Sequence, residues 1–175
     1  MRNILVVVDM QNDFIDGALG SEQAVAIVEH VVNKIKDFNG EVVFTKDTHF
    51  EDYLDSQEGK KLPVKHCIKN TDGWQLNERI AKAMPQGAKG FDKVTFGSRE
   101  LIEYLVKADR EERLGYVEFV GLCTDICVIS NAISVKTFLP EVELRVDGSC
   151  CAGVTKESHE NALNAMKMCQ IQVTG

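Results

Sequence analysis

The chain has 175 residues, 44% of them hydrophobic and 27% charged, with a formal net charge of −7 at pH 7. That length suits one domain (residues 1–175) with a full core, and the ordinary composition excludes disorder and low complexity. The negative charge argues against nucleic acid and anionic membranes as partners, and no apolar run approaches a membrane span. The six cysteines follow no regular disulfide spacing and no export signal precedes them, so reduced thiols in a cytoplasmic protein are expected.

In chain order, Ile4 to Val8 is a continuous apolar run ending in Asp9, the pattern of a strand buried on both faces of a parallel sheet. Met10 to Gly17 is a polar loop, and Ser21 to Phe38 an amphipathic helix closed by Asn39-Gly40. Glu41 to Thr45 is the second strand, ending at Lys46-Asp47-Thr48-His49. No regular period holds from Phe50 to about Asp72, and a loop of that length in a compact domain points to function. Trp74 to Met84 reads as a helix stopped by Pro85, Lys89 to Thr95 as a short strand, and Arg99 to Ala108 as a helix.

Tyr116 to Val120, β-branched and aromatic, is a strand ended by Gly121. Thr124 or Asp125 then offers an N-cap, and Val128, Ile129, Ala132, Ile133, Val135 and Phe138 carry a helical period up to Pro140. Val142 to Val146 (strand), Thr155 to Met168 (helix) and Ile171 to Val173 (strand) complete the chain. This alternation predicts an α/β fold, with a mainly parallel sheet of about six strands, helices on both faces and right-handed crossovers.

In open sheets of this class the ligand crevice lies beyond the carboxyl ends of the strands. Asp9, Asp47, His49, Cys123, Cys127 and Gly148 to Cys151 all fall at or just after such ends. Cys127, placed in the first turn of a helix, meets unpaired N–H groups and the positive end of the dipole, which favour the thiolate. Asp9 is the natural base beside it, Lys93 the natural cation, and the backbone N–H groups of Cys123 and Cys127 an oxyanion site. Each also has a plain reading. A lone cysteine is more often core than nucleophile, Asp9 can cap a loop, and Lys93 can be solvated surface. Asp47-x-His49 puts two ligand-capable side chains on one side of an extended segment; without a metal they would bond loop backbone.

Five segments occur in a fixed order: Asp9-Met-Gln-Asn-Asp-Phe14, Thr45-Lys-Asp-Thr-His49, Leu62-Pro-Val-Lys-His-Cys67, Lys93-Val-Thr-Phe-Gly-Ser98 and Gly121-Leu-Cys-Thr-Asp-Ile-Cys-Val128. With the closing segment Asp147 to His159, they resemble the isochorismatase-like hydrolases, and among them the nicotinamidase-type cysteine amidohydrolases. The resemblance spans essentially the whole chain. It implies a three-layer Rossmann-like fold, a Cys127–Asp9–Lys93 triad, and a cis peptide between Leu122 and Cys123 that turns the Cys123 N–H into an oxyanion hole. It further implies hydrolysis of a small carboxamide to the acid and ammonia through a thioester on Cys127, in a homo-oligomer. Isochorismatases proper lack the nucleophilic cysteine, so Cys127 favours amide over vinyl-ether chemistry. A metal-free hydrolase of N-carbamoyl or ureido compounds would use the same triad.

The resemblance adds His66 to Asp47 and His49 as metal ligands, with Glu58 the best match for a fourth and Asp55 behind it. Such ligands suit zinc, with iron and manganese as other candidates. Leu62 stands where the family commonly carries a ring-stacking aromatic residue. Phe14 matches a pocket-lining position. Trp74 is expected to anchor its helix to the sheet, His30 and His159 to cap or lie on the surface, and Cys150 and Cys151 to line the pocket as small residues.

Overall fold

The computed structural model describes residues 1–175. Six strands form one sheet in the order β3-β2-β1-β4-β5-β6: β1 (Arg2–Val8), β2 (Glu41–Asp47), β3 (Lys89–Lys93), β4 (Leu114–Leu122), β5 (Glu143–Ala152) and β6 (Gln172–Thr174). Every pairing is parallel. The long helices are α2 (Glu22–Asp37), α5 (Arg99–Glu111), α6 (Ile129–Phe138) and α7 (Lys156–Met168), and the short ones are α1 (Asn12–Ile15), α3 (Gln57–Lys61) and α4 (Glu78–Ala83).

The alternation of strand side chains builds the layers. Ile4, Val6 and Val8 of β1 face a core shared with Leu101 and Leu105 of α5, Ala132 and Val135 of α6, and Met166 of α7. Leu5 and Val7 point the other way, into a core with Val28, Val31 and Ile35 of α2 and Ile80 of α4. Burying such an aliphatic side chain is worth about 1.5–3 kcal/mol, so both faces of the central strand hold helices in place. Helix starts are marked by side-chain caps: Ser21 Oγ accepts from the Ala24 N–H at 3.1 Å and Ser98 Oγ from the Leu101 N–H at 3.2 Å, and Thr155 and Ser158 cap each other's backbone N–H groups.

Several expected boundaries move. The helix expected over Trp74 to Met84 is only α4, because Asn77 caps it and the backbone before it pairs with the first loop: the Asn12 N–H donates to Gln75 O and the Asn77 N–H to Met10 O. Trp74 therefore sits in a loop, its Nε1 donating to Thr48 Oγ1 at 2.9 Å. The long aperiodic stretch contains a 3₁₀ turn (Tyr53–Asp55) and α3, both too short to show a period. β3 ends at Lys93 rather than Thr95, and β5 runs on through Ala152. Cys150 and Cys151 are thus strand residues on opposite faces, one in each core, rather than lining for a pocket. No helix is long and apolar enough to cross a membrane.

Candidate functional site

The strand order reverses between β1 and β4, and a crevice opens beyond the carboxyl ends of strands at such a point. Asp9 follows β1 directly with φ 47°, a left-handed backbone that turns the chain off the sheet. Its N–H donates to Thr45 O at 3.2 Å and its Oδ1 accepts from Thr45 Oγ1 at 2.6 Å. Asp47 and Lys93 close β2 and β3 as register partners. β4 reaches the crevice by passing hard against β1: Gly121 has φ 115°, and a Cβ there would lie 2.1 Å from Val8 O, so only glycine fits.

Beyond β4 the Leu122–Cys123 peptide is cis, and residues Thr124–Val128 form a π-helical turn leading into α6. Cys123 O accepts from both the Ile126 and the Val128 N–H groups. The N-cap position thus falls on Cys123, not on Thr124 or Asp125. Those two side chains instead tie the turn to α7 and the segment before it: Thr124 Oγ1 bonds His159 Nδ1 at 2.8 Å, and the Asp125 carboxylate accepts from the Val154 N–H. His159 is in this way a brace for the turn, and His30, on α2, bonds Ser149 O through Nδ1 at 2.9 Å. Asn131 holds the other side, donating to Cys127 O and accepting from the Ser98 N–H.

The structure brings the three residues expected to act together around one buried ammonium. Lys93 Nζ lies 2.7 Å from Asp9 Oδ2, 3.2 Å from Asp47 Oδ1 and 3.3 Å from Cys127 Sγ, and its side chain is 1% exposed. Burial lowers the Lys93 pKa, but the charges of Asp9, Cys127 and Asp47 overcome it and hold the group protonated. Asp9 is raised above the ordinary carboxylate range, first by burial and then by Asp47, against the pull of Lys93 and Thr45. Its Oδ2 makes no well-formed hydrogen bond despite complete burial.

Cys127 departs from expectation. Burial, and then the negative charge of Asp9, push its thiol well above the ordinary value despite Lys93, opposite to the direction in which a helix N-terminus alone would move it. The π-helical turn and the adjacent carboxylate replace the simple dipole argument. Cys123, less buried, is pushed up to about 12 by burial and by Asp125.

Beside this group, Asp47, His49, Glu58 and His66 bring ligand atoms within 4.8 Å of one another. His49 Nε2 is 3.0 Å from Asp47 Oδ2 and 3.7 Å from Glu58 Oε1, and His66 Nε2 is 3.6 and 3.8 Å from the same two oxygens. Bonds of about 2.0–2.2 Å from such donors to a single metal ion require separations of this order. His66 Nδ1 is engaged by Val64 O at 2.8 Å, which fixes the tautomer and leaves Nε2 as the free donor. Burial raises the Asp47 pKa, but the hydrogen bond with His49, the neighbouring His66 imidazole and the charge of Lys93 bring it well below the carboxylate range, so it is ionised as a ligand must be. The set of two imidazoles and two carboxylates fits a divalent metal. Glu58 brings a carboxylate to this cluster from α3, while Asp55 is exposed.

Phe14 packs against His66, with ring centroids 5.5 Å apart. Leu62 is exposed at the end of α3 and its carbonyl accepts from the Tyr53 hydroxyl at 2.9 Å. Tyr53 lies against both His49 and His66, at 4.6 and 5.1 Å between centroids. Sequence reasoning missed Tyr53, Thr45, Gln11, Asn131 and Asp13, whose Oδ2 holds the Cys67 N–H beside His66. For Gln11 and Asp13 the signal was available, because both lie within the Asp9–Phe14 segment.

Residues 3–175 match the isochorismatase domain family. The chain is 31% identical to an uncharacterised isochorismatase family protein of Bacillus subtilis (strain 168), over 94% of this chain and 93% of that protein. It is 30% identical to a nicotinamidase of Saccharomyces cerevisiae, over 74% of this chain and 79% of the other. Its fold superimposes on the crystal structure of a pyrazinamidase of Pyrococcus horikoshii in complex with zinc, with a TM-score of 0.81, 26% identity and 99% of both chains covered. A six-stranded parallel sheet with a cysteine, an aspartate and a lysine gathered at its switch point, read together with these matches, places the chain in the isochorismatase family, among its nicotinamidase-like members.

Proposed function

We propose that the protein is a cysteine-dependent amidohydrolase of nicotinamidase type, converting a small carboxamide to its acid and ammonia through a thioester on Cys127. The observation that carries this reading is the position of Lys93 Nζ, within 3.3 Å of Asp9, Asp47 and Cys127 at once. The relationship to a nicotinamidase and to a pyrazinamidase supports the carboxamide substrate.

In this mechanism Asp9 is the general base and Cys127 the nucleophile. Burial raises the Asp9 pKa, which makes its carboxylate a stronger proton acceptor. Asp9 accepts the Cys127 thiol proton, and the sulfur attacks the amide carbonyl carbon as its charge forms beside Lys93. The backbone N–H groups of Cys123 and Cys127 hold the carbonyl oxygen as it becomes negative. Asp9 returns the proton to the departing nitrogen, and ammonia leaves a thioester on Cys127. Asp9 then takes a proton from water, whose oxygen attacks the thioester carbonyl; the C–S bond breaks, Asp9 returns the proton to the Cys127 sulfur, and the acid leaves. Lys93 stays protonated throughout, because three anionic or polarisable partners surround it. Asp47, His49, Glu58 and His66 would hold one divalent ion, which supplies Lewis-acid polarisation and orients substrate when bound. Zinc is the first candidate, as in the related Pyrococcus horikoshii structure, with iron and manganese next. The reading extends to a cytoplasmic protein, supported by six free cysteines.

The test is ammonia release from nicotinamide, pyrazinamide and N-carbamoyl compounds by wild type and Cys127→Ala, before and after chelation. Carboxamide turnover that disappears with Cys127 and with the metal is the expected result. Turnover confined to N-carbamoyl compounds and indifferent to chelation would overturn it in favour of the metal-free branch.

A further inference from the structure

Gln11 is fully buried and takes no part in the mechanism above, yet every polar atom of its carboxamide is used. Nε2 donates to Asp47 O at 2.8 Å and to Trp74 O at 2.9 Å, while Oε1 accepts from the Asp47 N–H at 2.7 Å. Two carbonyls and one N–H admit only one orientation of the amide. The side chain thus grips the Asp47 peptide groups on both sides of the Cα, as a neighbouring strand would, at the point where β2 ends.

That grip fixes which way the Asp47 side chain leaves the backbone. Its two oxygens are divided between two tasks: Oδ1 faces Lys93 at 3.2 Å, and Oδ2 faces His49 at 3.0 Å and His66 at 3.6 Å. A turn about the Asp47 backbone would take one oxygen from the ammonium and the other from the imidazoles. The anchor is itself well held. The Gln11 N–H donates to Asp9 O at 2.7 Å, and Gln11 pairs with Leu76 in an isolated antiparallel bridge. The residue is therefore connected to the base, to the shared carboxylate and to the Trp74 loop.

We propose that Gln11 is a positioning residue that acts through Asp47, setting the carboxylate so that one oxygen serves the metal site and the other Lys93. The inference rests on the metal-binding reading above. Groups that orient a ligand without touching the metal commonly change metal affinity about 10–100-fold when removed.

The experiment compares wild type with Gln11→Met, which keeps the length and loses all three bonds, and Gln11→Glu, which keeps an acceptor and loses both donors. Asn12→Ala, which removes a bond from the Asn12 side chain to Asp72 O, serves as a loop control. Zinc affinity is measured by competition with a chromophoric chelator, and the visible spectrum is recorded at saturating cobalt(II). Both Gln11 variants are expected to lose at least about 10-fold in zinc affinity and to shift the cobalt bands, with Asn12→Ala unchanged. The spectrum separates positioning from mere destabilisation, because a destabilised chain saturated with cobalt would show the wild-type bands. Wild-type affinity and bands in either folded Gln11 variant overturn the proposal. Failure of the wild-type chain to bind either metal overturns the metal reading, and this inference with it.

Discussion

Asp47 and Lys93 are register partners at the ends of adjacent parallel strands, and Asp47 Oδ1 lies 3.2 Å from Lys93 Nζ. Because the other Asp47 oxygen faces the two imidazoles, one carboxylate belongs to both halves of the site. Asp47→Ala is therefore expected to lower both metal content and kcat, whereas His66→Asn acts first on metal content. Metal analysis alongside ammonia release distinguishes the two. An Asp47→Ala enzyme that keeps a full equivalent of metal would contradict the arrangement.

Asp9→Asn leaves the shape of the site and removes the proton acceptor. A loss of about 10²–10⁴-fold in kcat is expected, the usual worth of a positioned base. Single-turnover measurement should show slow acylation of Cys127. Turnover within a few-fold of wild type would assign the base elsewhere.

Away from the site, Lys34 on α2 bridges two carboxylates, at 2.6 Å from Asp147 and 3.2 Å from Glu118. Burial lowers the Lys34 pKa, but hydrogen bonds and charge from Asp147 and Glu118 raise it on balance. Burial pushes Asp147 up, and its bonds with Lys34 and Ser149 bring it below the usual value. The Asp147 contribution to stability is thus complete above the ordinary carboxylate pKa and is lost as pH falls through its lowered native value. The Lys34 contribution is complete below the ordinary lysine pKa and is lost as pH rises through its raised native value. Lys34→Met should flatten both limbs of a Tm-against-pH curve and cost about 2 kcal/mol near neutrality, since it strands two carboxylates. Unchanged limbs would show that the pair adds nothing to folding.

Gly121→Ala puts a methyl group into the Val8 carbonyl and demands φ 115° of a residue with a Cβ. Neither backbone can yield without parting β1 from β4. A destabilisation of at least about 3 kcal/mol is expected, read by chemical denaturation. A loss below about 1 kcal/mol, within the range of an ordinary substitution, would mean that the strands separate at little cost.

The layers of the fold were legible because β1 is apolar on both faces and α2, α5 and α7 carry full periods behind capping residues. Asp9, Asp47, His49 and Cys127 were legible as residue types at strand ends, His66 and Glu58 only through the family resemblance, and the structure brings those positions together. What sequence reasoning missed is set by tertiary contacts. α4 starts at Glu78 because residues 73–77 pair with the first loop, a bond pattern that no local propensity encodes. The raised pKa of the Cys127 thiol depends on burial and on Asp9, which arrives from the far end of the chain. Gln11 was passed over because an amide in a polar loop looks solvated until its partner Asp47 is placed against it.

β1 lies third from one edge of the sheet, between β2 and β4, and Ile4 pairs with Val117. On a ribosome the run Ile4 to Val8 emerges well before β4, which carries its second hydrogen-bonding partner. During that interval a flat, uncharged, β-branched segment has one hydrogen-bonding edge exposed, the state in which strands recruit copies of themselves. Nascent or truncated chains that stop before β4 are therefore candidates for aggregation and chaperone capture.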